Sequence, residues 1–192
     1  MARPRSEEKR NTLLSAATKV FATNGLSAST ASITNAAGLA EGTLFIYFKG
    51  KDELINTLYE EIKSELAEAM LAGYPNDASV QDRIRHVWQN YVDWGLTHHD
   101  RLEVLHKIKV WEGLKPEVRE STALKYCQLH SLIESAIAEK LLQDIPLPFI
   151  FATLSAQAET TMQFMKQHPE QSELYKEKGF EIFWNGIARS TS

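Results

Sequence analysis

Ala40, Gly42 and Thr43, followed by Tyr47 and Lys51, are the residues of this chain whose types and spacing point most directly to chemistry. They lie in residues 30–54, TASITNAAGLAEGTLFIYFKGKDEL. Small side chains at the front of a helix let its backbone approach a base edge, where bulk would hold it away. Thr43 can touch a thymine methyl or a phosphate. Tyr47 can donate its hydroxyl to a phosphate, and Lys51 supplies a cation. Ser29 and Thr30 place hydroxyls and a helix N-terminus where a phosphate could dock. Arg3 and Arg5 form a short basic arm able to reach an adjacent groove. Glu41 opposes phosphate but could accept from a cytosine amine, and Ile46 falls on the same outer side. Plainer readings stay open: Gly42 and Thr43 could merely begin a helix, Tyr47 could pack, Lys51 could be solvated, and Arg3-Pro4-Arg5 could be a tail.

These residues need two short helices and a sharp turn to hold them. Ile33 and Ala37 share one face of the first helix, Gly38 stands where the turn needs a permissive backbone, and Leu44 and Phe48 can point into a core. That order predicts a helix-turn-helix whose second helix lies in a DNA groove. One such unit reads few bases, so a dimer is needed for useful specificity.

The rest of the 192-residue chain is also helical in pattern. Predicted helices run over about 7–24, 30–37, 41–47, 51–71, 80–97, 101–111, 117–143, 149–166 and 172–189. Ser6 can cap the first, with Glu7 and Glu8 at its positive end. No alternating run or hairpin turn predicts a strand, so the fold class is all-α with about nine helices. A three-helix N-terminal segment, residues 1–50, precedes a helical bundle over residues 51–192.

At 43% hydrophobic the chain can build a core, and no run is apolar and long enough for a membrane span. A polar N-terminus without a secretory pattern reads as cytoplasmic. The single Cys127 cannot form an internal disulfide and reads as a small buried residue. Net charge is −4, which argues against a general nucleic-acid binder. Residues 1–55, however, carry seven Lys or Arg against five acids, leaving the excess of acid to the remainder. His98, His99 and Asp100 are adjacent and do not converge on one metal. With no nucleophile, phosphate-loop or zinc motif, no enzyme activity, metal or cofactor is expected.

The segment resembles the TetR family of bacterial transcriptional regulators through Ile33, Ala37-Gly38-Leu39, Gly42-Thr43-Leu44-Phe45, Tyr47-Phe48, Lys51 and Leu54. MARPRSEEKR, AEGTLFIYFKGKDELINTLY, YVDWGLTHHDR and AETTMQF look closest to its drug-responsive RamR-type members. The resemblance implies a cytoplasmic homodimeric repressor that binds palindromic double-stranded operator DNA. A small-molecule effector, aromatic or amphipathic, would release it. The resemblance also puts Lys51 against the DNA backbone. Departures are Ala40 where a capping Ser or Thr is common, Glu41 where Lys or Arg is frequent, and Phe45 for a common Tyr.

The back end carries two further expectations. The helices over 149–166 and 172–189 are apolar on more than one face, which usually means burial on both. A partner subunit can cover the outer side, as the resemblance also implies, with Ala152, Ala156, Phe180, Phe183, Trp184 and Ile187 as interface positions. Aromatic and flexible residues are either core or the lining of an effector pocket. The pocket set is Tyr59, Lys63, Met70, Trp88, Tyr91, Phe151 and Leu154; the RamR likeness points to Tyr59, Trp88, Tyr91 and Leu154, and Lys63 could orient an acidic ligand. Glu159 is embedded in AQAETTM with no ranked role. The competing expectation is a helical ligand-binding protein that has lost specific DNA binding, which Glu41 and the acidic total charge favour.

Overall fold

The structure is a computed structural model that describes residues 6–189, so Arg3 and Arg5 lie outside the described residues. The described residues form ten α-helices: α1 (Glu7–Asn24), α2 (Thr30–Ala36), α3 (Gly42–Tyr47), α4 (Lys51–Leu71), α5 (Val80–Thr97), α6 (His99–Lys109), α7 (Pro116–Leu124), α8 (Cys127–Ala138), α9 (Leu147–Gln167) and α10 (Ser172–Ile187). Among the described residues the sole β pairing is an isolated antiparallel bridge, Leu142 with Ala188. The all-α expectation holds. Two compact units result: one holds the described residues up to Glu65 with His98–Thr122, the other Leu66–Thr97 with residues from Ala123 on.

The first unit is built around α1, α2, α3, the front of α4 and α6. Ser6 caps α1 by accepting from the Lys9 N–H, and Glu7 and Glu8 lie in its first turn. Leu13, Leu14, Ala17 and Phe21 are buried along one face of α1, with Ile33, Leu44, Phe48, Leu54, Leu58 and Ile108 in the same core. The Lys107 ammonium closes the end of α1 by donating to the carbonyls of Phe21 (3.3 Å) and Ala22, as expected of a cation near a helix C-terminus. Buried Asn56 ties α4 to the loop after α6: its amide donates to the Gly113 carbonyl (3.1 Å) and its oxygen accepts from the Lys115 N–H (2.9 Å).

One long helix expected over 117–143 is instead two, α7 and α8, broken at Lys125–Tyr126. No glycine or proline marks the break. Buried Thr122 turns its hydroxyl back onto the carbonyls of Val118 (2.9 Å) and Arg119 (3.0 Å), a back-bond that bends helices. Tyr126 then leaves helical dihedrals at φ −106°, ψ 12° with its ring buried. Cys127 follows directly and is exposed, correcting its expected burial. α6 also begins two residues earlier than expected, at His99.

In the second unit α10 lies against α9 and α5. Trp88, Tyr91, Val92, Leu154, Ala158, Met162, Phe180 and Phe183 fill the space among them. Gly179 makes the approach possible: a Cβ there would stand 2.1 Å from Thr161 Oγ1, 3.1 Å from Thr161 Cγ2 and 2.8 Å from the Trp88 ring. Thr161 would have to turn away and the fully buried Trp88 would have to shift. Gly179→Ala should therefore destabilise the chain by about 1–3 kcal/mol through overpacking, despite alanine's better helix propensity. Thermal melts of the variant check this; a Tm equal to or above the parent's would refute the packing argument.

Candidate nucleic-acid interface

α2 and α3 form a helix-turn-helix whose parts follow from local chemistry. Ser29 caps α2, its hydroxyl accepting from the Ser32 N–H at 3.1 Å. Thr34 is buried and satisfies its hydroxyl on the carbonyls of Thr30 and Ala31. α2 ends at Ala36, and Gly38 turns the chain after it with a φ of +65° that favours glycine. The Leu39 N–H then closes the turn on the Thr34 carbonyl at 2.9 Å. α3 starts without a side-chain cap: Glu41 takes helical dihedrals and caps nothing. The missing cap fits Ala40, which carries no oxygen to accept the bond.

Leu44 and Phe48 are buried, which fixes the rotation of α3. Ala40, Glu41 and Gly42 are exposed and Thr43 is half-buried. Phe45 is 54% and Ile46 53% exposed, so two large apolar side chains stand side by side outside. Ile46 was expected there. Phe45 was not placed among the outer residues, yet helical geometry shows it: with Leu44 and Phe48 inward, the residue after Leu44 turns about 100° away.

Tyr47 is half-buried and its hydroxyl accepts from the Ser6 N–H at 3.1 Å. Its own proton remains available to donate. Lys51 is half-buried at the first turn of α4, where its ammonium donates to the Ala28 carbonyl at 3.4 Å and keeps donors to spare. Ser29 is exposed and Thr30 half-buried at the front of α2. All of these belong to the first unit. What they offer is a helix front with almost no side-chain bulk, flanked by hydroxyls, one ammonium and two short-helix N-termini.

Residues 13–58 match the family described as bacterial regulatory proteins, tetR family. The likeness to that family covers this segment, which holds α2, α3 and the front of α4. The chain is also 32% identical over 73 residues to the fatty acid metabolism regulator protein of Bacillus subtilis (strain 168), an alignment spanning 38% of this chain and 38% of that protein. Two solved structures share the fold over nearly the whole length. A TetR family transcription regulator from Marinobacter aquaeolei VT8 has TM-score 0.88 and 20% identity, covering 98% of this chain and 100% of that one. A TetR-family transcriptional regulator from Haemophilus influenzae RD has TM-score 0.77 and 20% identity, covering 97% and 100%. The fold is thus shared with these two structures, and among the described residues no helix is long and apolar enough to cross a membrane.

The expected effector residues fall in both units. Tyr59 is buried and Lys63 half-buried in the first. Burial, followed by the like charge of Lys109, pulls the Lys63 ammonium down to about 8. Burial also raises the Tyr59 phenol, opposed by the nearby Arg119 and by a hydrogen bond with Thr122. In the second unit Met70, Trp88, Tyr91 and Leu154 are buried and Phe151 is half-buried, its ring 4.9 Å from that of His130. Burial pushes Tyr91 up to about 12, against a hydrogen bond with Ser155, while the Glu159 carboxylate raises it further. Glu159 therefore stands near a phenol that stays neutral.

Lys63 yields a pH prediction with a definite sign. Its folded pKa of about 8 is below the usual 10.5. The burden of holding its charge is full below pH 8 and is relieved as pH climbs to 10.5, where the unfolded chain binds more protons. The stability difference between parent and Lys63→Met should shift in the parent's favour across that window. Paired melts between pH 7 and about 10.5 read it; a difference constant with pH would mean that Lys63 is well solvated.

Of the expected interface residues, Ala152 and Ala156 are exposed on α9 and Trp184 is half-buried. Phe180, Phe183 and Ile187 are buried inside their own chain, on the inner face of α10. The outer apolar side chains are others, including Phe149 (64% exposed), Phe164, Leu174 and Ile182 (62%).

Proposed function

We propose that the chain is a homodimeric one-component transcription regulator, a repressor in the cytoplasm, that binds a palindromic operator and is released by a small amphipathic effector. Residues 1–50 bind the DNA and residues 51–192 the effector and the partner copy. One observation carries the reading: α3 opens on exposed Glu41 and Gly42 with Ala40 before them, while Leu44 and Phe48 lock its other side into the core. That leaves a backbone able to reach base edges in a major groove, with Tyr47, Lys51 and the front of α2 placed for phosphates. Ala152 and Ala156 of α9, with the exposed Phe149, Phe164, Leu174 and Ile182, supply an apolar face for a second copy. A dimer would hold its two recognition helices about 34–36 Å apart, or a multiple of that.

For the effector, the candidate residues are Tyr59 and Lys63 in the first unit and Met70, Trp88, Tyr91, Phe151 and Leu154 in the second, apolar side chains with one ammonium among them. An apolar tail with an acidic head suits that composition. The likeness to a fatty acid metabolism regulator supports the amphipathic reading over the multidrug one. α4 carries Lys51 in its first turn and Tyr59, Lys63 and Met70 further along. A ligand that displaces this helix would therefore move the DNA-facing lysine, and a coupling of about 1–3 kcal/mol suffices for a switch.

A second reading has one observation in its favour: exposed Glu41 at the front of α3 sets a negative charge where phosphates would come. In that reading the chain binds a ligand and has lost specific DNA recognition. Capture of random genomic fragments on the purified chain at roughly physiological salt, followed by sequencing, separates the two. Enrichment of one pseudo-palindrome, with affinity falling steeply with salt, supports the regulator. Uniform recovery of fragments, with and without prior stripping of bound lipids, supports the second reading. Light scattering should give a mass about twice 21.7 kDa.

A further inference from the structure

The second unit contains a cleft of about 450 Å³ between the α4–α5 connection, the first turn of α5 and one face of α8. This is within the size range of small-molecule sites. It is remote in sequence from α2 and α3, and it includes none of the effector residues considered above. Tyr74 and Arg83 line it from one side, Gln128, Ser131, Ser135 and Glu139 from the other.

Two polar atoms in this cleft are out of balance with the rest of the chain. Arg83 Nε and the Tyr74 hydroxyl are both buried, and neither has a hydrogen-bond partner among the described residues. Buried donors are almost always satisfied, and a charged donor is the costliest to leave unpaired. The Arg83 guanidinium stands close enough to the phenol to lower, by its charge and by a side-chain hydrogen-bonding contact, a pKa that burial raises, but neither the Tyr74 hydroxyl nor Arg83 Nε reaches full hydrogen-bond geometry. The nearest acid in sequence, Asp82, is engaged by the Ser79 hydroxyl at 2.7 Å. The Tyr74 ring is held edge-on to His86, centroids 6.2 Å apart at 83°, so its hydroxyl has a fixed direction. Ser131 and Ser135 stand one turn apart on the facing side of α8 and add hydroxyl donors. The larger cleft of the first unit differs in kind: its arginines are paired, Arg10 with Glu61 at 2.6 Å and Arg101 with Glu65 at 2.5 Å.

We propose that the Tyr74–Arg83 cleft binds a small oxyanion, a carboxylate or a phosphate group, through the Arg83 guanidinium with the Tyr74 hydroxyl as second donor. Arginine matches the planar, two-oxygen face of either anion. Exposed Glu139 on the rim turns away dense polyanions, so the site takes a small molecule and not nucleic acid.

Succinate and inorganic phosphate are the probes, each titrated into the full chain at ionic strength held constant with sodium chloride. The readouts are Tm and calorimetric heat. At least one probe should saturate and raise Tm by about 3–6 °C at ten times its Kd. A response to succinate alone assigns a carboxylate site, to phosphate alone a phosphate site, and to both a general oxyanion site. Arg83→Gln should abolish the response, and Tyr74→Phe should raise Kd at least about fivefold while keeping the ring against His86. No saturable response to either probe overturns the proposal, as does a parent-like titration by Arg83→Gln. Should Arg83→Gln not fold, an unchanged Kd in Tyr74→Phe overturns it.

Discussion

Gly42→Glu is expected to remove operator binding while the Tm holds or rises. Gly42 is the exposed first residue of α3, and a Cβ built on it meets nothing within 4 Å. The fold therefore has room for any side chain there. Glutamate is a better helix former than glycine by roughly 0.5–1 kcal/mol, and a negative charge in a first helical turn adds about 0.3–1 kcal/mol. On the DNA side both effects reverse. The added bulk holds the backbone off the groove floor, and the carboxylate joins Glu41 in facing phosphates. A disrupted contact of this kind costs about 1–3 kcal/mol per half-site, so a symmetric dimer loses about 2–6 kcal/mol, or roughly 30-fold to 10⁴-fold. Gly42→Ala, with far less bulk and no charge, should lose less and gain similar stability. Anisotropy titrations of both variants on an enriched fragment, at fixed salt and beside thermal melts, read the two effects separately. Parent-like affinity for Gly42→Glu would remove α3 from the DNA interface.

The front of α3 was legible because its requirements are local. Gly38 at a positive φ, the small residues at 40–43 and the inward pair Leu44–Phe48 are set by spacing within a few residues. Caps and breakers made other boundaries legible too: Ser6 starts α1, Gly25 stops it, and the Gly73–Asp77 stretch separates α4 from α5. The α7–α8 break was not legible, because a threonine hydroxyl and a buried tyrosine ring make it, and neither type punctuates a helix by itself. The rotation of α10 was not legible for a different reason. Phe180, Phe183 and Ile187 form one helical stripe, Leu174 and Ile182 mark another, and periodicity cannot choose between two apolar stripes. The choice falls to Gly179, the position where α9 and α5 can come close, which puts Phe180 and Phe183 inward beside it. The same limit applies to the aromatic residues of the back end, since core and pocket lining share composition and spacing.

Trp88 is where that ambiguity can be resolved by measurement. Its side chain is fully buried. Its ring stacks on Phe183 with centroids 6.1 Å apart at 11°, meets Phe180 at 6.2 Å and 59°, and lies beside the Gly179 backbone. Its indole N–H donates to the Lys176 carbonyl at 3.0 Å. These contacts commit the ring to α10. Trp88→Ala should lower stability by about 3–5 kcal/mol, which for a chain of this length is roughly 6–20 °C in Tm. Trp88→Phe keeps most of the apolar contact and loses the hydrogen bond, worth about 0.5–1.5 kcal/mol, so its melt should fall between parent and alanine variant. A pocket-lining tryptophan would behave differently: its truncation would spare the fold and weaken effector affinity. If Trp88→Ala melts within about 2 °C of the parent, the ring belongs to a pocket and the packing of α5 on α10 has been overvalued. A large loss places Trp88 in the core and leaves recognition of the effector to the other candidates, among which Tyr91, near Ser155 and Glu159, has polar partners around its hydroxyl.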